Sequence, residues 1–170
     1  MGKDTKKNSS NIAYSGKVKV QLYHGKKVYK TIKEKNSGKR PLFEFLANCL
    51  VGNFYSNQRP LYLRAYKTSV VNGEETGTID QREEVTTVAV PVRRQSTILS
   101  DDSAEVLNEF LLAASTLTDK EANLLALFSF DKKNDRYGAS AEVILETPIK
   151  KENGTSNVKV DWSLIIGQQS

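Results

Sequence analysis

A mainly β, antiparallel fold is what this 170-residue chain predicts. The class is a β-sandwich (jelly-roll or Ig-like) or a barrel of about 7–9 strands, with one short helix at 41–51. Three observations predict it. Apolar and polar residues alternate with a period of two in several separate runs, as half-buried strands require. Turn signals return roughly every 8–14 residues. Only one stretch has clean helical spacing.

Residues 1–14 read as a flexible, lysine-rich arm, and 15–170 as a single β-rich domain. From Lys17 the chain alternates, with Val18, Val20 and Leu22 on one side and Lys17, Lys19, Gln21 and Tyr23 on the other. His24-Gly25-Lys26 turns it, and Val28, Tyr29 and Ile32 continue in a second strand with Lys30 and Lys33 interleaved, which makes a hairpin. Asn36-Ser37-Gly38 is turn chemistry. Pro41, whose fixed φ and missing N–H suit a first helical position, then starts the helix. Leu42, Phe45, Leu46, Cys49 and Leu50 form its apolar face, and Gly52 stops it.

LYLRAYKT alternates again, with Leu61, Leu63 and Ala65 against Tyr62, Arg64 and Tyr66. VVNGEETGTIDQREE carries turn residues and acids and predicts an exposed hairpin tip or a flexible excursion. EEVTTVAVPV is rich in β-branched residues, and Pro91 restricts it to an edge or a bulge; RRQSTILS continues it after a bend. Residues 103–117 fit two readings. Leu107, Phe110, Leu111 and Ala114 have helical spacing, and propensity favours a helix. Val106, Asn108, Phe110 and Leu112 also alternate, and the order of the neighbouring elements favours a strand. LLALFSFD, SAEVILETPI and VKVDWSLIIG close the chain as three strands, separated by the polar turns KKNDRYG and KKENGTSN.

The charge is uneven. Residues 1–40 hold twelve basic side chains against Asp4 and Glu34, a net +10, whereas the remaining 130 residues hold 13 basic and 18 acidic side chains, a net −5. Such polarity suits an acidic partner surface, protein or nucleic acid, although lysines also protect exposed sheet edges. No apolar run reaches the length of about 18 residues that a membrane span needs. The polar amino terminus has no signal-peptide pattern.

The residue types for familiar chemistries do not assemble. Gly38-Lys39 lacks the glycine spacing of a phosphate loop, and Pro41 removes an N–H that would hold the anion. His24, the sole histidine, sits in a turn between lysines, and Cys49 lies on the helix's apolar face. Zinc needs about four ligands, and these two are the only nitrogen or sulfur candidates. Asp131, Asn134 and Asp135 lack the glycine and terminal glutamate of a calcium loop. With 20 acids in the chain, a carboxylate pair carries no information. The expectation is a non-enzymatic protein without catalytic residues, metal or cofactor. Its candidate partner or nucleic-acid surface is Lys17, Lys19, Tyr23, Lys39, Arg40, Tyr62, Arg64 and Tyr66, where cations and aromatic rings alternate. That composition fits a protein interface first and a single-strand stacking platform second.

The order of elements carries a resemblance. An amino-terminal hairpin leads to a helix, LFEFLANCLVG, and then to RPLYLRAY. LLALFSF, SAEVILETPI and a closing VKVDWSLIIG with the sole Trp follow. Over residues 16–167 this resembles the small β-rich virion proteins of tailed bacteriophages, such as head, collar or fibre-attachment components. The resemblance implies a structural protein of the virion, assembled in the host cytoplasm, that forms homo-oligomers and docks on capsid, connector or fibre proteins. Residues 1–40 would then reach an acidic neighbour or DNA.

Overall fold

The computed structural model describes residues 12–38, 62–86, 89–100, 103–118, 120–128 and 139–168. The helix expected at 41–51 lies outside them, as do residues 1–11 and the turn at 131–138.

The described chain forms eleven strands: β1 (Ile12–His24), β2 (Lys27–Gly38), β3 (Tyr62–Lys67), β4 (Val70–Val71), β5 (Glu74–Glu75), β6 (Glu83–Glu84), β7 (Arg93–Ser100), β8 (Ser103–Ala113), β9 (Ala122–Phe128), β10 (Ala141–Ile149) and β11 (Thr155–Gln168). Eight of these have six or more residues, within the predicted range. The only helical pieces among the described residues are 3₁₀ turns at Ile79–Gln81 and Ala114–Thr116. The ambiguous segment is a strand, β8. Its alternation prevails over helix propensity because both flanks are occupied: β11 pairs along its whole length and β7 along the other side.

Nine strands make one antiparallel sheet in the order β6-β3-β9-β10-β2-β1-β11-β8-β7. One core cluster draws buried side chains from both halves of that order, including Val18, Val20, Phe110, Val160 and Trp162 on one side and Leu63, Leu125, Leu127 and Val143 on the other. The sheet therefore curls so that one of its faces encloses a common interior. Two corners make this possible. β2 pairs with β1 as far as Asn36 and then with β10 through Ser37 and Gly38. The Asn36-Ser37-Gly38 stretch, expected as a turn, is instead strand that passes from one layer to the other.

The second corner lies between β6 and β7. Val85 N–H bonds Ala65 O at 2.9 Å, and Ala89 and Leu63 exchange backbone bonds of 2.8 and 2.9 Å, so this segment runs along β3. Beyond Pro91, Val92 N–H bonds Glu109 O at 2.8 Å, and β7 runs along β8. One bent stretch of chain thus borders both ends of the sheet, closing a barrel-like sandwich in the way strands that switch sheets do. Pro91, which has no N–H for a ladder, stands where the pairing changes sides.

β1 takes in residues 12–14, which the sequence reading gave to the arm. The expected tip at 70–84 is a small ordered hairpin. Asn72 (φ 53°) and Gly73 (φ 80°) form the left-handed two-residue turn between β4 and β5, the arrangement that Asn-Gly favours. β9 is buried on both faces: Leu125 and Leu127 face the core, while Leu124, Ala126 and Phe128 join Tyr62 and Ala139 in a second cluster. This double burial is why LLALF is a continuous apolar run and not an alternating one. Among the described residues, no helix is long and apolar enough to cross a membrane.

Candidate interaction surfaces

β1, β2, β8 and β11 present their outer faces together. With Val18, Val20 and Ile32 turned into the core, Lys17 and Lys19 of β1 and Lys33 and Lys35 of β2 fall on the other side. The hairpin register sets Lys17 opposite Lys35 and Lys19 opposite Lys33. All four line one open groove of about 690 Å³, bordered on the far side by Leu107, Asp161 and Ser163.

The acids beyond the lysines are already engaged. Glu109, buried among its neighbours, lies 2.6 Å from Lys159 and 3.5 Å from Arg93, and Lys159 is also 3.3 Å from Asp161. Ser163 donates to Glu105. The hydrogen bond from Lys159 holds the Glu109 carboxyl below its usual range against the opposing effect of burial, with the charges of Lys159 and Arg93 adding to it. The same hydrogen bond raises the Lys159 ammonium above its ordinary value. Because the folded value of Glu109 is depressed, its contribution to stability is present above the unfolded value near pH 4.3 and is lost as pH falls through the folded one. Glu109→Gln is therefore expected to lower stability at pH 7 by about 1 kcal/mol. The difference from the parent protein should shrink below about pH 4, as urea midpoints at both pH values would show.

The aromatic–cation face expected on β3 is not available to a partner. Tyr62 and Arg64 are each only 3% exposed. The Arg64 guanidinium lies 5.9 Å from the Tyr62 ring centre and 5.4 Å from that of Phe128, and its Nη1 is 3.5 Å from the Glu84 carboxylate. Tyr66 is partly buried beside them, and burial pushes its hydroxyl above the ordinary range with Arg64 opposing. The outward half of the LYLRAY alternation belongs to the second buried cluster, in which Tyr62 packs with Leu124, Ala126, Phe128 and Ala139 and Tyr66 packs against them. Tyr23 is half-buried near the hairpin turn and does not line the lysine groove. Lys39 and Arg40 lie outside the described residues.

Of the expected residues, then, the fold brings Lys17 and Lys19 together and adds Lys33 and Lys35, which sequence reasoning did not select as site residues. The signal was present in principle: the turn at Gly25-Lys26 sets which residues of β1 and β2 face one another. The bulge between Leu22 and Tyr23, however, shifts the register in a way alternation does not reveal.

A second surface is the edge strand β7. All eight of its residues are exposed, with Ile98 at 76% and Leu99 at 50%. One side pairs with β8, and β7 stands last in the sheet order, so among the described residues no strand lies along its other side. Arg93 and Arg94 sit at its start; Gln95 to Ser100 carry no charge and no proline.

His24 stacks on Tyr29 with ring centres 3.8 Å apart. Among the described residues, no three His, Cys, Asp or Glu side chains are placed to hold a metal ion. No protein-family model, curated protein or solved structure matches the chain.

Proposed function

We propose that this is a non-enzymatic structural protein that works by assembly, and that the assembly is a bacteriophage virion. The single observation that carries the assembly reading is β7: an exposed edge strand whose last six residues lack the charges and prolines with which proteins block such edges. Unpaired N–H and C=O groups on an accessible edge are a template for adding a strand. The register with β8 is regular from Arg93 to Ile98, so the edge is straight enough to pair. A second copy of the chain is the partner it fits, β7 against β7 in antiparallel fashion. The two-fold relation keeps the arginines of each copy away from its partner's arginines and near the uncharged end of the other strand. The virion reading rests on the order of elements over residues 16–167, which resembles head, collar or fibre-attachment proteins.

Light scattering on the full chain tests the assembly. The parent protein is expected to run as a dimer or larger oligomer, and the Ile98→Lys/Leu99→Lys variant as a monomer. Both side chains are exposed, so the variant's stability should stay within about 0.5 kcal/mol of the parent. A parent that is monomeric at high concentration, or a variant that assembles unchanged, would overturn it.

A further inference from the structure

We infer that the groove between Lys17, Lys19, Lys33 and Lys35 binds the phosphodiester backbone of nucleic acid, without base preference. The register carries the first part of the argument. Like charges directly opposite one another on adjacent strands repel, and this hairpin holds two such pairs side by side, Lys17 with Lys35 and Lys19 with Lys33. Glu34 and Asp161 are the acids that line the groove, and Asp161 is level with Lys19 in the β1–β11 register. No acid forms an ion pair with any of the four among the described residues. Asp161 and Glu109 are held by Lys159 and Arg93, and Glu105 by Ser163. Glu34, between Lys33 and Lys35 in sequence and itself a lining residue of the groove, is engaged by the Glu146 N–H, which donates to its carboxylate at 3.2 Å.

The arrangement suits a repeating anion. Residues two apart on a strand lie about 6.7 Å apart, and directly opposed Cβ atoms about 5 Å apart. The four ammonium groups therefore offer a small grid of positive charge, which a single carboxylate or phosphate would leave mostly unpaired. A nucleic-acid strand brings one charge per nucleotide along a continuous chain. Lysine meets phosphate as a mobile point charge and reads no sequence. An acidic protein would be expected to place an anchor in an apolar pocket, and among the described residues the only apolar side chains at this groove are Leu107 and the buried Val18. No aromatic side chain lines the groove among the described residues: Tyr23 lies outside it, and Tyr62 is buried. Contact with the backbone alone is what remains.

Fluorescence anisotropy with labelled oligothymidylate, oligodeoxyadenylate and a DNA duplex tests this on the full chain. Both single strands should bind equally. Four neutralised phosphates at a slope of about 0.7 each predict roughly a 50-fold loss of affinity between ~50 and ~200 mM salt. The Lys17→Gln/Lys19→Gln/Lys33→Gln/Lys35→Gln variant should lower the salt slope by about 3, whereas Lys26→Gln/Lys27→Gln at the turn should leave it nearly unchanged. Thermal melting keeps the test sound. Removing the opposed like charges should raise the Tm of the quadruple glutamine variant, and arginine at the same four positions should restore binding. A duplex bound at least as well as the single strands shows that the shared backbone is the ligand. The proposal is overturned by no binding at low salt or an unchanged slope in the quadruple variant. A strong preference for one base, or polyglutamate competing as well as DNA, would overturn it too.

Discussion

Arg82→Ala is expected to destabilise the protein by about 3 kcal/mol or more, the loss typical when one member of a buried ion pair is removed. The guanidinium is 5% exposed and makes three short contacts: Nε and Nη2 donate to the Glu75 carboxylate at 2.8 and 2.6 Å, and Nη1 donates to Glu142 at 2.6 Å. It also lies 6.0 Å from the centre of the Tyr66 ring. The hydrogen bonds it donates to Glu75, ahead of the one to Glu142, raise its already high pKa further against the effect of burial. Through these bonds Arg82 ties the β4–β5 hairpin to β10 of the main sheet. Thr68 reinforces the tie, its hydroxyl donating to Glu75 at 2.6 Å while its backbone N–H and C=O bond the Asn123 side chain, each at 2.9 Å.

Alanine would remove the cation from between two carboxylates that are themselves only 18% and 12% exposed. Lysine keeps the charge but not the two-pronged geometry, so Arg82→Lys should fall between parent and alanine. Adding Glu75→Gln to the alanine variant should recover part of the loss, because one of the stranded charges is gone. Urea midpoints with unchanged m-values would measure all three, and faster proteolysis near Gly73 would locate the effect. A loss below about 1 kcal/mol for Arg82→Ala would place it with exposed ion pairs and refute its role as a clamp.

The second large effect is expected at Trp162, where alanine should cost about 3–5 kcal/mol. Trp162 is fully buried on β11, level with Val18 of β1 and Asn108 of β8, in the core cluster that joins both layers. Its removal would leave a cavity where the layers meet, and three strands would lose contacts together. Phenylalanine is the informative comparison. The indole Nε1 is buried with no hydrogen-bond partner among the described residues, a group that is costly to hide. Trp162→Phe removes that N–H along with part of the ring and should retain most of the stability. A phenylalanine variant as unstable as alanine would refute this and show that the indole's lost volume outweighs relief of the buried N–H.

These two residues differ in how far the sequence exposes their roles. Trp162 stands inside a clean alternation, Val158-Val160-Trp162-Leu164, so its place in a core is readable without a structure. Arg82 stands in a polar stretch that reads as an excursion. Its partners Glu75 and Glu142 are 7 and 60 residues away, and only folding brings them to one point.

The interaction surfaces divide in the same way. The β class, the strands of the closing half, the hairpin from Lys17 through the turn at His24-Gly25-Lys26 to Lys33, and the outward side that carries Lys17 and Lys19 are legible from local order. Each follows from a period of two or from a local turn, properties that neighbouring residues carry between them. The rest comes from contacts between distant segments. Tyr62 and Arg64 have the alternation of an exposed face, but Tyr62 packs into a second apolar cluster with Leu124, Ala126, Phe128 and Ala139, and Arg64 lies beside the Tyr62 and Phe128 rings. Lys33 and Lys35 became partners of Lys17 and Lys19 through a register that a bulge shifts. β7 became an open edge because β8 covers one of its sides and the chain before it turns away at Pro91 to border β3. Burial and pairing depend on what comes from distant parts of the chain, and alternation reports only that a strand has two faces.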